Sequence, residues 1–349
     1  MKNSTLIAMS GGVDSSVAAF LLQRAGHRCG GAIMELWKES ASGAATDAQA
    51  IANRLGMPFY TLDAAEPFRQ QVVDYFIRSY EEGLTPNPCI QCNRHLKFSY
   101  FLDAALTMGY DSIATGHYAT IRKDETSGRY LLCKAKDTAK DQSYFLACLN
   151  QHQLAHTYFP LGELTKEEAR AIAEEQGFVN ARKKDSQDIC FVPDGDYVAF
   201  MKRYTGKEYP AGDYLDLTGK VVGRHCGAVC YTLGQRKGLG IALGAPVYVC
   251  GKNMKENTVT VGPESALFAT TLVADSWNWF PFETLTEPIR VMAKARYRHI
   301  PQPATVYPME DGRAKVVFDA PQRAITPGQT VALYDGDVVV GGGIITEIL

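Results

Sequence analysis

Apolar and polar positions along the chain follow two different patterns, one before and one after about residue 200. Up to about residue 115, short apolar runs of strand length are separated by amphipathic segments of helical period. Strands are predicted at 5–9, 31–36, 59–63 and 112–114, and helices at 15–25, 47–55, 67–80 and 96–108. This alternation predicts right-handed βαβ units on a parallel sheet, which binds ligands at the carboxyl ends of its strands.

The later chain changes from α/β to mainly β texture. Helices are predicted over 141–149 and 165–176, the second opened by Thr165 and Glu168 at capping-box spacing. Beyond residue 210, short β-type runs separated by Gly and Pro lie at 228–233, 246–249, 258–261, 289–295, 314–318, 330–334 and 338–345. We therefore predict a catalytic α/β domain over 1–200, a small β-rich central module over 201–267, and a C-terminal β-barrel over 268–349.

Composition places the chain among ordinary globular proteins. It has 349 residues, of which 46% are hydrophobic and 21% charged. No apolar run approaches the roughly 20 residues that span a membrane, and the start leads directly into a strand, so a cytoplasmic location is expected. Nine cysteines in such a chain argue against a disulfide framework, which leaves catalytic, metal-binding and buried cysteines as options.

Neither the net charge nor its distribution shows whether the chain binds nucleic acid. The formal net charge is −2, but the middle third is mildly basic. Clusters at 182–184, 236–237 and 294–298 could follow phosphates. Ordinary solvated faces explain the same clusters equally well.

A glycine-containing loop follows the first strand and leads into a helix. Its sequence is Ser10-Gly11-Gly12-Val13-Asp14-Ser15-Ser16. Glycines allow a tight turn and close approach to an anion, and the N–H groups at a helix start favour phosphate. The Lys of the common G-x-x-x-x-G-K-[ST] loop is absent, which argues against γ-phosphate transfer.

This loop resembles the pyrophosphate loop of the N-type ATP pyrophosphatases, which cleave ATP between the α- and β-phosphates. The resemblance implies a parallel-sheet ATP-pyrophosphatase domain, an adenylated substrate, and a need for Mg²⁺. Asp14 is expected to orient the loop or help hold Mg²⁺, and Met34 to pack near adenine or simply in the core. The implied ATP-binding residues are Ala8, Met9, Ser10, Gly11, Gly12, Val13, Asp14, Ser15, Met34 and Gly116.

Cysteine-bearing motifs indicate one branch of this superfamily. Asn87-Pro88-Cys89-Ile90-Gln91-Cys92-Asn93 is predicted in a loop between two helices, and Cys190 closes a motif over 184–191. Further motifs lie at 116–118, 140–146, 234–240, 326–329 and 341–345. In this order and over essentially the whole chain, they resemble the bacterial tRNA-specific 2-thiouridylase family.

That resemblance implies ATP-dependent 2-thiolation of the wobble uridine in tRNAs for Lys, Glu and Gln. Cys92 is implied to attack or resolve the intermediate, and Cys190 to carry sulfur as a persulfide from a cysteine desulfurase or relay protein. Since only the thiolate reacts, both thiols must lose their protons. The implied contacts to the target base and the tRNA are Asn87, Pro88, Cys89, His117, Lys140, Asp141, Gln142, Arg296, Tyr297 and Gln329.

One position departs from the best-known branch of the family. Cys89 stands where that branch has Asp, which gives Cys89, Cys92 and Cys190 as three thiols. Three thiolates suit a [4Fe–4S] cluster with one open iron, so cluster-dependent transfer stays open beside the persulfide relay. A structural zinc site using Cys226 and Cys230 is a lesser alternative. The remaining cysteines, Cys29, Cys133, Cys148 and Cys250, lie in apolar runs and are expected to be buried.

Two other functions remain possible from the residues alone. A ligase or amidotransferase acting on a small-molecule carbonyl would use the same loop but leave Cys92 and Cys190 without roles. An RNA-binding module with a degenerate nucleotide fold would bind ATP without turnover. The oligomeric state is left open.

Overall fold

The structure is a computed structural model that describes residues 4–37, 43–183 and 189–349. The first part of the motif that ends in Cys190, together with Lys184 of the first basic cluster, lies outside these residues.

Seventeen strands are assigned within the described residues. In chain order they are β1 Ser4–Ala8, β2 Arg28–Glu35, β3 Phe59–Asp63, β4 Ser112–Ala114, β5 Thr120–Lys123, β6 Tyr130–Cys133, β7 Thr157–Tyr158, β8 Gly212–Leu215, β9 Val221–His225, β10 Tyr248–Asn253, β11 Thr258–Gly262, β12 Phe268–Trp279, β13 Ile289–Lys294, β14 Gln302–Pro308, β15 Ala314–Arg323, β16 Thr330–Asp335 and β17 Val338–Ile348.

The helices follow the same numbering. They are α1 Val13–Arg24, α2 Ala44–Arg54, α3 65–81, α4 88–107, α5 Ser143–Leu146, α6 Gln151–Ala155, α7 Lys166–Glu175 and α8 Tyr197–Thr205. Short 3₁₀ turns lie at Ala228–Cys230 and Glu264–Leu267. The middle parts of α3 and α4, Arg69–Val73 and Cys92–Tyr100, have wider π-type turns.

The predicted parallel sheet is confirmed. Its five strands are ordered β3-β2-β1-β4-β7, and every pair is parallel. β1 lies in the centre, and its first four residues are buried because helices cover both faces. The capping box at Thr165 and Glu168, which opens α7, is also confirmed.

A closed six-stranded antiparallel barrel confirms the prediction for the C-terminal part. The strands run β12-β15-β14-β13-β16-β17, and β17 pairs back onto β12. Closure leaves no free edge between these six strands. Alternate side chains of the strands fill the interior with a separate apolar cluster.

The hairpin β5–β6, which the sequence pattern did not predict, connects the first domain to the barrel. β6 pairs with β17 through Cys133 and Val338. Arg129, in the hairpin turn, donates to the carbonyl oxygens of Phe280 (2.7 Å) and Trp279 (3.1 Å). One apolar cluster runs across this junction, from Leu6, Phe98 and Leu132 to Phe280, Tyr334 and Val339. The two parts therefore share a hydrophobic core.

The central module is a four-stranded sheet ordered β10-β11-β8-β9. The strand predicted at 228–233 is wrong, because the chain there forms a 3₁₀ turn. Gly227 has φ +124°, and the Cys230 N–H donates to the Gly227 carbonyl instead of pairing across a sheet. The run is apolar since Ala228 and Tyr231 are buried against the sheet and Val229 is buried in the neighbouring cluster that contains Phe191. Cys226 and Cys230 consequently bracket a turn rather than lie on a strand.

A second correction concerns the cysteine motif. The loop predicted between α3 and α4 is shorter than expected, and Cys89 and Cys92 lie in the first turns of α4. Pro88 at the first helical position has its φ already suited to a helix start and needs no N–H partner there.

Candidate active site

The loop after β1 has a conformation that only glycine allows at one position. Gly11 has φ +68°, and a Cβ there would lie 2.4 Å from the carbonyl oxygen of Ala44 at the start of α2. Gly116, just after β4, approaches the other side, where a Cβ would lie 2.7 Å from the backbone nitrogen of Ser15. The first turn of α1 is therefore enclosed by backbone from two neighbouring crossovers.

Side chains fix the same loop internally. Ser15 Oγ accepts from the Ser10 N–H (3.2 Å), and Ser16 Oγ donates to the Gly12 carbonyl (3.0 Å). Asn180 Nδ2 donates to the Gly11 carbonyl (3.2 Å), and so does Lys183 Nζ (3.2 Å). Lys183 places a cation beside the helix start, where an anion is favoured.

Asp14 is held by two partners, Lys166 and Tyr118, that no sequence motif identified. Lys166 Nζ donates to both carboxylate oxygens at 2.8 Å, and Tyr118 OH donates to one of them at 3.0 Å. These partners orient the carboxylate at the loop. With Lys166 on both oxygens, Asp14 does not offer a free carboxylate edge for a protein-held Mg²⁺.

The other predicted nucleotide residues lie at the carboxyl ends of the central strands. Ala8 ends β1, Met9 follows it and is buried, and Met34 lies near the end of β2, partly exposed and packed against two apolar clusters. Ser10 and Gly12 complete the loop that joins β1 to α1. This is the edge at which a parallel sheet binds ligands.

The structure brings Cys89, Cys92 and Cys190 together. Cys92 is buried and Cys89, one turn earlier on α4, is exposed. Phe191, next to Cys190, is buried against Phe68, Phe76 and Phe200 at ring distances of 5.2 to 5.7 Å. Since Cys92 belongs to the same apolar cluster, Phe191 anchors the chain of Cys190 beside α4.

Cys190 opens onto a cavity of about 400 Å³. The rest of the cavity wall is mainly aromatic. It consists of Trp37, Phe191, Pro193, Phe200, Arg203 and Tyr204.

Desolvation by the surrounding protein dominates the acidity of the three thiols, including Cys89 and Cys190, whose residues are partly open to solvent. It raises the pKa of Cys89 and Cys92, and it raises the pKa of Cys190 to about 11, with the neighbouring Cys92 and Cys89 as further causes. The ammonium group of Lys97 acts in the opposite direction on all three pKa values. Lys97 follows Cys92 by five residues on the wide turns of α4, and no sequence motif pointed to it.

A shared metal ion would need at least three ligand side chains to converge on one point. Within residues 4–37, 43–183 and 189–349, no three His, Cys, Asp or Glu side chains converge closely enough to hold one ion. The thiolates of a [4Fe–4S] cluster are spaced more widely than the ligands of a single ion, so cluster-dependent transfer stays a prediction beside the persulfide relay. Cys148 also lies near Cys92, but its Sγ–H donates to the carbonyl oxygens of Ile90 and Phe145.

His117 follows Gly116 just after β4, at the carboxyl edge of the sheet. Its Nδ1 is 2.7 Å from the Thr115 hydroxyl, and its ring packs between Phe98 and Phe159. Burial, and secondarily Lys97, hold the pKa of His117 well below its usual value. The imidazole is therefore neutral at neutral pH.

Two stretches predicted to contact tRNA meet on one face. Tyr297 packs on Phe145 with ring centroids 4.3 Å apart, and Lys294 Nζ lies 5.1 Å from the Tyr297 ring. Phe145 follows the stretch Lys140, Asp141 and Gln142, which joins β6 to α5.

Several of the predicted tRNA contacts have internal partners. Asp141 accepts from the N–H groups of Ala135 (3.1 Å) and Ser143 (3.2 Å), and Gln142 accepts from the Tyr118 N–H (3.0 Å). These bonds shape the loop that carries Lys140. Asn87 and Pro88 lie at the start of α4, and Gln329 contacts the segment before them rather than standing free on the surface.

No helix in the described part of the chain is long and apolar enough to cross a membrane.

Three family models match the chain in succession. Residues 3–194 match a tRNA methyl transferase HUP domain, residues 198–263 a tRNA methyl transferase PRC-barrel domain, and residues 269–345 an aminomethyltransferase beta-barrel domain. The first model alone covers more than half of the chain.

Full-length relatives give a more specific description. The tRNA-specific 2-thiouridylase MnmA of Clostridioides difficile is 47% identical, over 100% of this chain and 99% of the relative. The protein of the same name from Acetivibrio thermocellus is 48% identical, over 99% of both chains. Among solved structures, NMN synthetase from Francisella tularensis covers 60% of this chain at 15% identity, with a TM-score of 0.35.

Adding a methyl group at Gly11 should disable the loop. In Gly11→Ala the new Cβ collides with the Ala44 carbonyl, so α2 or the loop must shift, and we expect ATP to bind at least about ten-fold more weakly. Gly26→Ala is the matched control, because Gly26 has φ +89° but nothing within 4 Å of its Cβ position. Equilibrium ATP binding by both variants decides the matter; equal affinities would show that the Gly11 contact is not needed for the site.

Removing the Lys97 cation should slow the reaction of Cys190 with an alkylating reagent. Because the pKa of Cys190 is about 11, its thiolate fraction, and hence its rate, should rise roughly ten-fold per pH unit between pH 7 and 10. Lys97→Met should raise that pKa further and slow alkylation several-fold at pH 8. Lys123→Met, an exposed lysine on β5, serves as the control. Rates read by peptide mass spectrometry that are flat below pH 9 would contradict this assignment.

Proposed function

Because the chain belongs to the tRNA-specific 2-thiouridylase family, we propose that it uses ATP to activate a uridine of tRNA and replaces the C2 oxygen of that base with sulfur. It is an enzyme, a tRNA-uridine 2-sulfurtransferase. The single observation that carries the finer proposal is the proximity of Cys92 and Cys190, which are 98 positions apart in sequence. Cys92 lies in one buried cluster with Phe191, the residue after Cys190, and Cys92 is one of the groups that raise the pKa of Cys190.

Activation is the first requirement of this chemistry. A C2 carbonyl is a poor electrophile and oxide cannot leave, whereas an adenylated oxygen leaves as AMP. The loop at Gly11 and Gly12 and the first turn of α1 supply N–H groups for the phosphates, and Lys183, which also pairs with Asp47 (2.8 Å), lies beside them. Mg²⁺ enters this proposal as part of the ATP substrate, since the carboxylate of Asp14 is engaged by Lys166.

Sulfur transfer then uses two thiols in sequence. The terminal sulfur of a Cys190 persulfide attacks C2, and AMP departs with the original oxygen. The Cys92 thiolate attacks the Cys190 sulfur, the S–S bond breaks, and the sulfur that remains on C2 gives 2-thiouridine. A Cys92–Cys190 disulfide results, which a thiol reductant returns to two thiols by supplying two electrons.

The site's electrostatics assign a role to Lys97 in these steps. Burial alone favours the protonated thiols, and the ammonium of Lys97 is the cation that opposes it at all three cysteines. A persulfide is a stronger acid than a thiol, so sulfur loading itself favours an anion at Cys190. Neutral His117, held at Nδ1 by Thr115, can exchange a hydrogen bond with the base from its other ring nitrogen.

The tRNA surface proposed here consists of Lys140, Lys294, Arg296 and Tyr297. Three cations and a partly exposed aromatic ring suit RNA phosphates and an unstacked base. The substrate is proposed to be the wobble uridine of tRNAs for Lys, Glu and Gln, extruded from its stack. A cysteine desulfurase or a relay protein is proposed to load Cys190.

The function is tested by a thiolation assay with tRNA, ATP and a protein persulfide donor. We expect 2-thiouridine from the unaltered protein, and losses of at least about 100-fold for Cys92→Ser and Cys190→Ser, as for removal of a nucleophile. Cys250→Ser, in the central module, should keep its activity. ATP turnover without thiolation, stimulated by a small carbonyl compound instead of tRNA, would support the ligase function in its place.

The role of Cys89 separates the two modes of sulfur transfer. In the proposed persulfide route Cys89 forms no bond, so Cys89→Ser should retain thiolation within about three-fold. The second measurement is the content of iron and acid-labile sulfide in anaerobically purified protein. About four irons per chain, lost together with activity in Cys89→Ser, would establish the cluster and overturn the persulfide assignment.

A further inference from the structure

The chain just before the cysteine-bearing helix rests on a loop of the barrel. The Thr85 N–H donates to the Pro327 carbonyl at 2.9 Å. The side-chain amide of Gln329 donates to the Thr85 carbonyl at 2.7 Å and lies 3.5 Å from the Pro86 carbonyl. Three hydrogen bonds thus join residues 85–86 to residues 327–329 across 240 positions of sequence.

Backbone approach at this contact is close enough to require glycine. Gly328 has φ +88°, and a Cβ there would lie 2.9 Å from the Thr85 nitrogen and 2.9 Å from the Leu84 Cβ. Two backbones therefore touch without an intervening side chain. Such a contact transmits a displacement from one segment to the other instead of absorbing it.

The barrel side of the contact is rigid. Gly328 N–H donates to the Ile345 carbonyl (2.8 Å), and the Ile345 N–H donates to the Gln329 carbonyl (2.8 Å). Arg296 Nη2 donates to the Thr326 hydroxyl and to the Leu233 carbonyl of the central module (2.9 Å). The loop 326–329 is consequently tied both to the barrel sheet and to the central module.

The α4 side has less to hold it. Asn87 precedes the helix, yet its side chain makes no capping bond among the described residues, although an Asn cap typically stabilises a helix start. Cys89 and Cys92 follow within five residues. Contacts from outside the helix therefore orient its start: Cys148 Sγ donates to the Ile90 carbonyl, Asn93 Nδ2 donates to the Phe145 carbonyl (3.0 Å), and residues 84–86 are held by the barrel loop.

We propose that Gln329 is a positioning residue for Cys89 and Cys92. Its amide fixes the carbonyl groups of Thr85 and Pro86, and so fixes the first turn of α4 relative to the barrel. This role differs from the direct tRNA contact that the family resemblance implied for Gln329. It deepens the proposed function, because the barrel face that carries Arg296 and Tyr297 is thereby connected to the reacting thiols.

The test compares the Gln329→Glu variant with the unaltered protein, both without tRNA and without ATP. The substitution keeps the shape but places a carboxylate oxygen against two carbonyl oxygens. Alkylation of the buried Cys92 and hydrogen exchange of the amides at 89–92 should both become roughly five-fold faster, as for the loss of one hydrogen bond from a locally opening segment. Gln329→Met, which removes the donor without adding charge, should act in the same direction and replaces Gln329→Glu if that variant does not fold.

A matched control exists at the same interface. Asn278 donates its side-chain amide to the carbonyls of Ala147 (3.0 Å) and Leu149 (2.8 Å), again between the barrel and the first domain. Asn278→Asp should leave Cys92 alkylation unchanged. Equal acceleration in both variants would mean that any loosening of this interface exposes Cys92, and the proposal would be overturned.

Kinetics distinguish positioning from tRNA contact. With tRNA saturating, Gln329→Glu should lower the single-turnover rate of thiolation about ten-fold while tRNA affinity stays within about two-fold. Weaker tRNA binding with an unchanged single-turnover rate and unchanged Cys92 alkylation would make Gln329 an RNA contact instead. Because alkylation and exchange need neither tRNA nor ATP, they decide the positioning role even if the unaltered protein shows no thiolation.

Discussion

The first turns of α4 are held by contacts from outside the helix, and the geometry of the thiol site depends on those contacts. On one side Phe191 inserts among Phe68, Phe76 and Phe200 and brings Cys190 to Cys92. On the other side the barrel loop receives residues 85–86 through backbone and amide hydrogen bonds. Neither side is adjacent to the cysteine motif in sequence. The reacting thiols are therefore a product of tertiary packing, as the nucleotide loop is a product of close backbone approach by Ala44 and Gly116.

Two opposing effects, desolvation and the charge of Lys97, set the protonation state of the thiols before sulfur is loaded. Desolvation is the largest influence on each of the three thiols, and it outweighs Lys97, so each pKa lies above its usual value. The same burial keeps His117 neutral. With protonated thiols and a neutral imidazole the site has low nucleophilic reactivity. Protonated thiols also resist unwanted oxidation and alkylation. The site therefore becomes reactive only when Cys190 has received sulfur and the base has been activated.

Much of the architecture could be predicted from sequence because its signals are local. Period-2 and period-3.6 apolar patterns gave the parallel sheet and most barrel strands, and Gly11 marked a left-handed turn. The failures involve non-local forces. The run at 228–233 is apolar because a turn is buried, which the pattern cannot distinguish from a strand. Buried Lys166 and half-buried Lys97 act on Asp14 and Cys92, and no sequence pattern shows which carboxylate or thiol a lysine will meet in the fold. The tRNA contacts implied by resemblance remain predictions.

The β5–β6 hairpin has a consequence for the order of events on the ribosome. Its barrel partner, Val338, is about 200 residues beyond Cys133, so the nascent chain presents an unpaired strand edge for roughly 10–40 s at about 5–20 residues per second. During that interval the apolar surface that will meet Phe280 and Val339 also lacks its cover. An exposed edge beside an apolar surface is a substrate for chaperones and a starting point for aggregation. Folding of the first domain is completed only when the last strand has been synthesised.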